Sequence, residues 1–266
     1  MLTKSFNFLL PAKVKNLTRL GRNFDGGYLV CEDTLNKCKN LITFGVGDDT
    51  SFERDFHKLK KPNNIHLYDY TVNYKLFFYI ILKYLRRFIT LRATASDVIY
   101  NINNFLNFKK FIAQSNVRLF KEKVVSKIKE KNDVNLDTVF LRLNNNSNNL
   151  VKIDIEGSEY EIIDKLMEFH SNIEMLIIEF HWINKNKKAF KESIKKLNNE
   201  FKIIHLHANN YVYEKDNDYF FDVVEITFLR NGNMPKELNF RYDFPIEGLD
   251  YECFPDRPKI AFSFTK

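Results

Sequence analysis

Leu150-Val151-Lys152-Ile153-Asp154-Ile155-Glu156-Gly157-Ser158-Glu159 decides the fold. Period-two alternation puts Val151, Ile153 and Ile155 on one strand face and Asp154 on the other. A helical pattern through Ile162, Ile163 and Leu166 follows at once. Charge in a mid-sheet strand is costly unless used or paired. Ser158 and Glu159 read as a helix entrance, which leaves Asp154 and Glu156 together at the carboxyl end of a strand. Open α/β sheets bind ligands at that end.

The same rhythm runs outward in both directions. Leu41 to Phe44 reads as a strand, Ser51 to Leu59 as a helix and Ile65 to Tyr68 as a strand. Met175 to Ile178 is a buried-type strand, and roughly 187 to 198 is a helix. Phe201 to His207 and Asp222 to Leu229 are two β runs with a polar connection, a long hairpin. Strands alternating with helices argue a parallel sheet with one antiparallel edge. Nearer the start, Arg19-Leu20-Gly21-Arg22 and Asp25-Gly26-Gly27-Tyr28 carry hairpin signals.

The polar residues gather at predicted strand ends. Phe44-Gly45-Val46-Gly47-Asp48-Asp49 joins a strand to a helix, where glycines let backbone approach a ligand. Thr50 stands where a dinucleotide fingerprint wants a third glycine, which weakens a nicotinamide reading. Asp69 ends the next strand, 22 residues beyond Gly47, and is placed to hold a ribose. Glu179-Phe180-His181-Trp182 and His205-Leu206-His207-Ala208-Asn209-Asn210 close two further strands. Each histidine alone is more simply read as a satisfied structural side chain, but together these clusters should converge on one sheet edge.

The segment from Tyr74 to Gln114 interrupts the rhythm with a helical pattern. Leu76, Phe77, Ile80, Ile81, Tyr84, Leu85, Phe88 and Ile89 form one stripe, expected to pack on the domain. Between Asp69 and Asp97 there is no acid, while Lys75, Lys83, Arg86, Arg87 and Arg92 are present. A basic lid over a phosphate-bearing substrate and a membrane-surface helix are the alternatives.

Composition bounds the rest. The 266 residues are 44% hydrophobic and 28% charged, enough for a sizeable core and too apolar for a disordered chain. Lys plus Arg number 41 and Asp plus Glu 34, a net charge of +7, which suggests phosphate-bearing partners or an anionic surface. Three cysteines without metal-ligand spacing suit a reducing, cytoplasmic compartment. Met1 to Lys13 is a poor signal peptide, and the run Leu76 to Leu82 is far below the ~20 residues of a spanning helix.

These blocks together resemble the FkbM-like branch of S-adenosylmethionine-dependent methyltransferases. The resemblance rests on Arg22 with Asp25-Gly26-Gly27-Tyr28, the Gly45–Asp49 loop, Tyr68-Asp69-Tyr70-Thr71, the Lys152–Glu159 block, Glu179-Phe180-His181 and His205 to Asn210. It runs from about Leu17 to Phe264, with the Lys152–Glu159 block the most specific part. It implies a Rossmann-like class I methyltransferase fold: one α/β domain with a seven-stranded, mostly parallel sheet and a terminal antiparallel hairpin. A helical insertion at about 74–115 and a tail at 231–266 that packs back complete the expectation.

The resemblance also implies S-adenosylmethionine as donor and O-methylation of a sugar hydroxyl. The acceptor is then a nucleotide-linked sugar, such as a heptose, or a glycan of bacterial capsule or surface polysaccharide. Gly45, Gly47, Asp48, Asp69, Thr71, Arg22 and Gly26 would hold the donor. His181 is the first choice of general base, with Glu179 or Asp154 orienting it and Glu156 beside them. His207 and Asn209 would bind the acceptor, and Arg86 and Arg87 its diphosphate. Asp154, Glu179 and His181 are also the ligand set for a divalent ion such as Mg2+. Competing readings are methylation of a phosphate or phosphoramidate group, a nucleic-acid methyltransferase, and a non-catalytic nucleotide-sugar binding protein. A homo-oligomer is compatible with all of them.

Overall fold

The computed structural model describes residues 4–144, 148–211 and 221–265. After a 3-10 helix at Lys4–Leu9, the chain forms a hairpin of β1 (Leu17–Leu20) and β2 (Tyr28–Cys31), followed by the single-turn α1 (Glu32–Leu35). Then come β3 (Asn40–Phe44), α2 (Ser51–Lys60), β4 (Asn64–Tyr68), α3 (Tyr74–Ile89), α4 (Ala95–Ile112) and β5 (Val117–Phe120). A short parallel pair, β6 (Lys123–Val124) and β7 (Asp133–Val134), leads to α5 (Leu136–Leu141). The second half runs β8 (Asn149–Ile153), α6 (Glu159–Met167), β9 (Ile173–Phe180), α7 (Lys187–Glu200), β10 (Phe201–Ala208) and β11 (Val224–Arg230). A last pair, β12 (Asp243–Phe244) and β13 (Phe262–Ser263), closes it.

Seven strands form one sheet in the order β10-β11-β9-β8-β3-β4-β5. Its pairings are parallel from β9 to β5, and only β11 runs against its neighbours. This is the Rossmann-like α/β sheet with the expected terminal hairpin. The chain leaves β3 in one direction through β4 and β5, then resumes on the other side of β3 with β8. The switch point therefore lies between β3 and β8, where such sheets open a crevice.

Both faces of the sheet are covered, and strand alternation divides the core between them. Ile42, Phe44, Val151, Ile153, Leu176 and Ile178 pack with α5, α6 and α7 residues such as Phe140, Ile162 and Phe190. Leu41, Leu67, Leu150, Met175 and Ile177 pack with Phe52 and Phe56 of α2 and Phe108 of α4. Phe244, Phe262 and Phe264 near the C-terminus join the first cluster.

Four features depart from the sequence reading. The strand expected over 150–155 stops at Ile153, because Glu156 and Gly157 take positive φ (54° and 101°) and turn the chain into α6. The edge strand β5 has no counterpart in that reading. The helical segment is two helices, broken at Leu91 (φ 55°) and restarted by Thr94, whose hydroxyl and backbone form a capping box with Asp97. The stripe on α3 expected to pack on the domain buries only Phe77; Leu85, Phe88 and Ile89 are exposed. No described helix is long and apolar enough to cross a membrane.

Candidate active site

The crevice is built where β3 and β8 end. Asp154 N–H donates to Phe44 O (2.9 Å) and Gly45 N–H to Tyr68 O (3.0 Å), so three strand ends are tied together. Gly45 has φ +78°, and a Cβ there would fall 1.6 Å from the Asp154 carbonyl oxygen. No other residue fits this approach. Gly47 (φ +60°) is different: a Cβ there would meet nothing within 4 Å, so its face is open.

Asp69 fastens that loop. Its Oδ2 accepts from Val46 and Gly47 N–H, both at 2.9 Å. Its Oδ1 accepts from Thr71 N–H (2.7 Å) and the Thr71 hydroxyl (2.6 Å). Burial alone would raise its pKa, but the Thr71 hydroxyl and these backbone donors outweigh burial and hold it below the usual range. The carboxylate expected to hold a ribose thus already shapes the glycine loop.

Across the crevice stands a cluster of acids around one imidazole. His181 Nδ1–H donates to Glu159 Oε1 (2.9 Å), which also accepts from Ile155 and Gly157 N–H at 3.1 Å. Nε2 faces Asp154 Oδ1 and Glu156 Oε2 at 3.8 Å and Glu179 Oε1 at 3.9 Å. Burial opposes charge on His181, yet the Glu159 bond and the Glu179 and Asp154 carboxylates prevail and lift its pKa to about 10. The surrounding carboxylates thus favour the protonated imidazole at neutral pH.

Glu179 is the buried member of the group. It accepts from Asn209 Nδ2 at 2.9 Å and lies 3.2 Å from the Tyr28 hydroxyl, itself 3.2 Å from Asp154 Oδ2. Burial first, and the Asp154 charge next, raise Glu179 to about 8. On β11, Glu225 sits opposite Glu179, and burial with that neighbour holds it well above the carboxylate range. Lys152 is the buried counter-charge, 3.7 Å from Asp154 and over the Tyr28 ring at 4.9 Å.

Three cavities share this edge. One of about 220 Å³ is lined by Gly45, Tyr68, Asp69, Thr71 and Val124. One of about 280 Å³ is lined by Arg22, Gly26, Gly47, Asp48 and Lys152. A third, also about 280 Å³, is lined by Asp25, Glu179, His181, Trp182, Asn209 and Phe254. Asp154 and Glu156 line all three. A larger cavity of about 840 Å³, beside Lys37 and Met234, contains none of the motif residues.

Arg22 is anchored at the second cavity. Its Nε lies 3.4 Å from Asp49 Oδ2, and its Nη1 donates to the Tyr100 hydroxyl of α4 (3.1 Å). Asn104 of the same helix donates to Asp48 O (2.6 Å), so α4 braces the glycine loop.

Of the residues expected from sequence, the structure brings Arg22, Gly26, Gly45, Gly47, Asp48, Asp69, Thr71, Asp154, Glu156, Glu179, His181 and Asn209 to one edge. Three lie apart. His207 is buried beside Cys253 Sγ (Nε2 at 3.6 Å) and Asp250 (Nδ1 at 3.6 Å), and His205 also meets Asp250 at 2.9 Å. Arg86 and Arg87 are exposed near the far end of α3 and line none of these cavities. Tyr28, Lys152 and Trp182, quoted within the motif blocks but given no role there, enter the site, and Glu159 is more than a helix entrance. Trp182 has φ 55° and its ring fills the space where a Gly157 side chain would be.

Two described clusters could hold a cation: Asp154, Glu156 and His181, and the buried His207, Glu225 and Cys253. In each, the ligand atoms lie within 4.8 Å of one another.

Among solved structures the chain is similar to a precorrin-6y C5,15-methyltransferase from Geobacter metallireducens, with 15% identity over 74% of this chain and 85% of that one and a TM-score of 0.36. A Streptococcus pneumoniae protein in complex with S-adenosyl-L-methionine matches at 12% identity, over 77% and 73%, with a TM-score of 0.37. The spermidine synthase of Thermotoga maritima matches at 12%, over 76% and 57%, with a TM-score of 0.39. No curated protein matches this chain. The family model described as "Methyltransferase FkbM domain" matches residues 16–215, a stretch running from the hairpin that carries Arg22 past the strand that carries His207. With the motif blocks of that span meeting at one sheet edge, the chain belongs to the FkbM methyltransferase family.

Proposed function

We infer that this chain is an S-adenosylmethionine-dependent O-methyltransferase acting on a sugar hydroxyl, either of a nucleotide-linked sugar such as a heptose or of a surface glycan. The carrying observation is the pairing of a glycine-walled cavity with a cavity lined by buried Glu179, the two sharing Asp25, Asp154 and Glu156 as walls. The open face of Gly47 supports a ligand cradle, with Gly45, Gly47, Asp48, Asp69, Thr71, Arg22 and Gly26 around the donor. Bound there, the sulfonium supplies an already electrophilic methyl group.

The chain's own contribution is alignment and a proton acceptor. A sugar hydroxyl is a weak nucleophile, so a positioned base contributes typically about 10²–10⁴-fold. Glu179 fills that role better than His181: raised to about 8, it keeps a basic fraction near neutral pH that grows as the pH rises, and Asn209 and Tyr28 fix both oxygens. His181, held by Glu159, sets a positive charge beside Glu179 and Asp154. Asn209 orients Glu179 and lines the wall that the sugar would meet.

The donor assignment is tested by thermal shift. S-adenosylhomocysteine at about 100 times its Kd stabilises by ~2.7 kcal/mol, and NAD should give no shift. Turnover on GDP- and UDP-sugars then selects the acceptor; failure of both adenosyl ligands to shift the melting point overturns the reading.

A divalent cation is the second reading of the same cluster, favoured by the convergence of Asp154, Glu156 and His181. Glu159 behind Nδ1 is the kind of partner that metal-bound histidines have. Turnover lost on chelation and restored by Mg2+ supports it, and undiminished turnover eliminates it.

A further inference from the structure

The hairpin of α3 and α4 leaves a large apolar surface uncovered. On α3, Phe78, Leu82, Leu85 and Ile89 fall at spacings of four, three and four residues, one helix stripe, and are 37% to 77% exposed. On α4, Ile99, Ile102 and Leu106 form a second exposed stripe. The stripes meet where the Phe78 ring lies 5.8 Å from Phe105, next to Leu106. At the turn between the helices Leu91 is 92% exposed. Scattered exposed apolar side chains are ordinary, but a continuous set of this size marks an interaction surface.

Charge selects the partner. Lys75, Lys83, Arg86, Arg87 and Arg92 are all exposed on this segment, and residues 70–96 contain no Asp or Glu. A second copy docked symmetrically would set this cationic helix against its twin. A nucleic acid would satisfy the cations and leave the apolar stripe in water. A bilayer with anionic headgroups takes both: apolar side chains enter the acyl boundary and Lys and Arg meet phosphates.

We propose that the α3–α4 surface docks this protein onto anionic lipid bilayers, with α3 lying in the interface plane. α3 begins three residues after Thr71, which lines two of the crevice cavities. Its 16 residues span ~24 Å, so docking holds the crevice within about one helix length of the membrane.

Flotation of the full chain with vesicles tests this independently of methyl transfer. Vesicles of phosphatidylcholine with phosphatidylglycerol should carry the protein at low salt, and pure phosphatidylcholine vesicles should not. Leu82→Ser with Ile89→Ser should weaken binding at least about tenfold, and Arg86→Glu with Arg87→Glu should abolish it. All four side chains are exposed, and circular dichroism verifies the fold of each variant. Three results overturn the proposal: no flotation with anionic vesicles, flotation indifferent to the Leu82/Ile89 pair, or a stable dimer in sedimentation velocity that this pair dissolves. The second would trace binding to the chain's overall basicity, and the third would assign the surface to self-association.

Discussion

At the scale of single residues, the site turns on which group can take a proton. Glu179→Gln keeps the shape and the Tyr28 and Asn209 neighbours but removes the basic oxygen. It should lower kcat by about 10²-fold or more while leaving the Kd for S-adenosylhomocysteine within a few-fold, read by single-turnover assay and calorimetry. His181→Ala should cost less in chemistry than Glu179→Gln, since its imidazole is a cation among carboxylates; equal losses would return the base role to it. The acids and the histidine were legible in sequence because charge at the end of an apolar strand has few other uses. Their division of labour was not. It depends on Glu159 reaching back across a turn to Nδ1 and on Tyr28 arriving from a distant hairpin, and neither contact has a local signature. His205 and His207 show the converse: alternation gave them one face, and it is Asp250, from the far C-terminal region, that both of them meet, away from the crevice.

At the scale of elements, the glycine loop is held by contacts that substitution should expose. Gly45→Ala drives a methyl group into the Asp154 carbonyl, at a positive φ, and should cost about 3 kcal/mol or more in urea unfolding. Asp69→Asn loses the charge that accepts from Val46, Gly47 and Thr71. Calorimetry should find donor affinity down by about tenfold or more, because charge-assisted bonds of this kind contribute ~1.5–3 kcal/mol each. The strands flanking the crevice were legible because Leu41 to Phe44, Leu150 to Ile153 and Met175 to Ile178 are buried on both faces and read as near-continuous apolar runs, interrupted by Thr43 and Lys152. β5 was not: Val117 alone of its four residues is buried, and edge strands carry little pattern. The stripe on α3 was read correctly as helical and wrongly as covered, since periodicity reports a face and not its partner.

At the scale of the whole molecule, two buried histidines make stability depend on pH. Burial, helped by Arg118 and Arg142, lowers His66 to about 4; burial also lowers His207 to about 4, against the pull of Asp250. In the unfolded chain both titrate near 6.5. Below that pH the unfolded state binds more protons, so the contribution of these two histidines is full above about 6.5 and is lost as the pH approaches 4, while the raised Glu179 works in the opposite sense. The melting temperature of His66→Phe relative to the wild type should rise as the pH falls through that window; a difference that stays constant would refute the assignment. The layered sheet, its antiparallel terminal hairpin and the site edge could be anticipated from the chain, whereas the cavities could not, because they arise from loops far apart in sequence. One feature of those cavities bears on kinetics. Asp154 and Glu156 belong to the walls of all three, and Glu156, at φ 54°, is the most exposed acid of the cluster. A partition shared in this way makes the two substrates tenants of one apartment. Initial-rate patterns should show a compulsory sequence, the first ligand setting the doorway through which the second arrives, and not random binding.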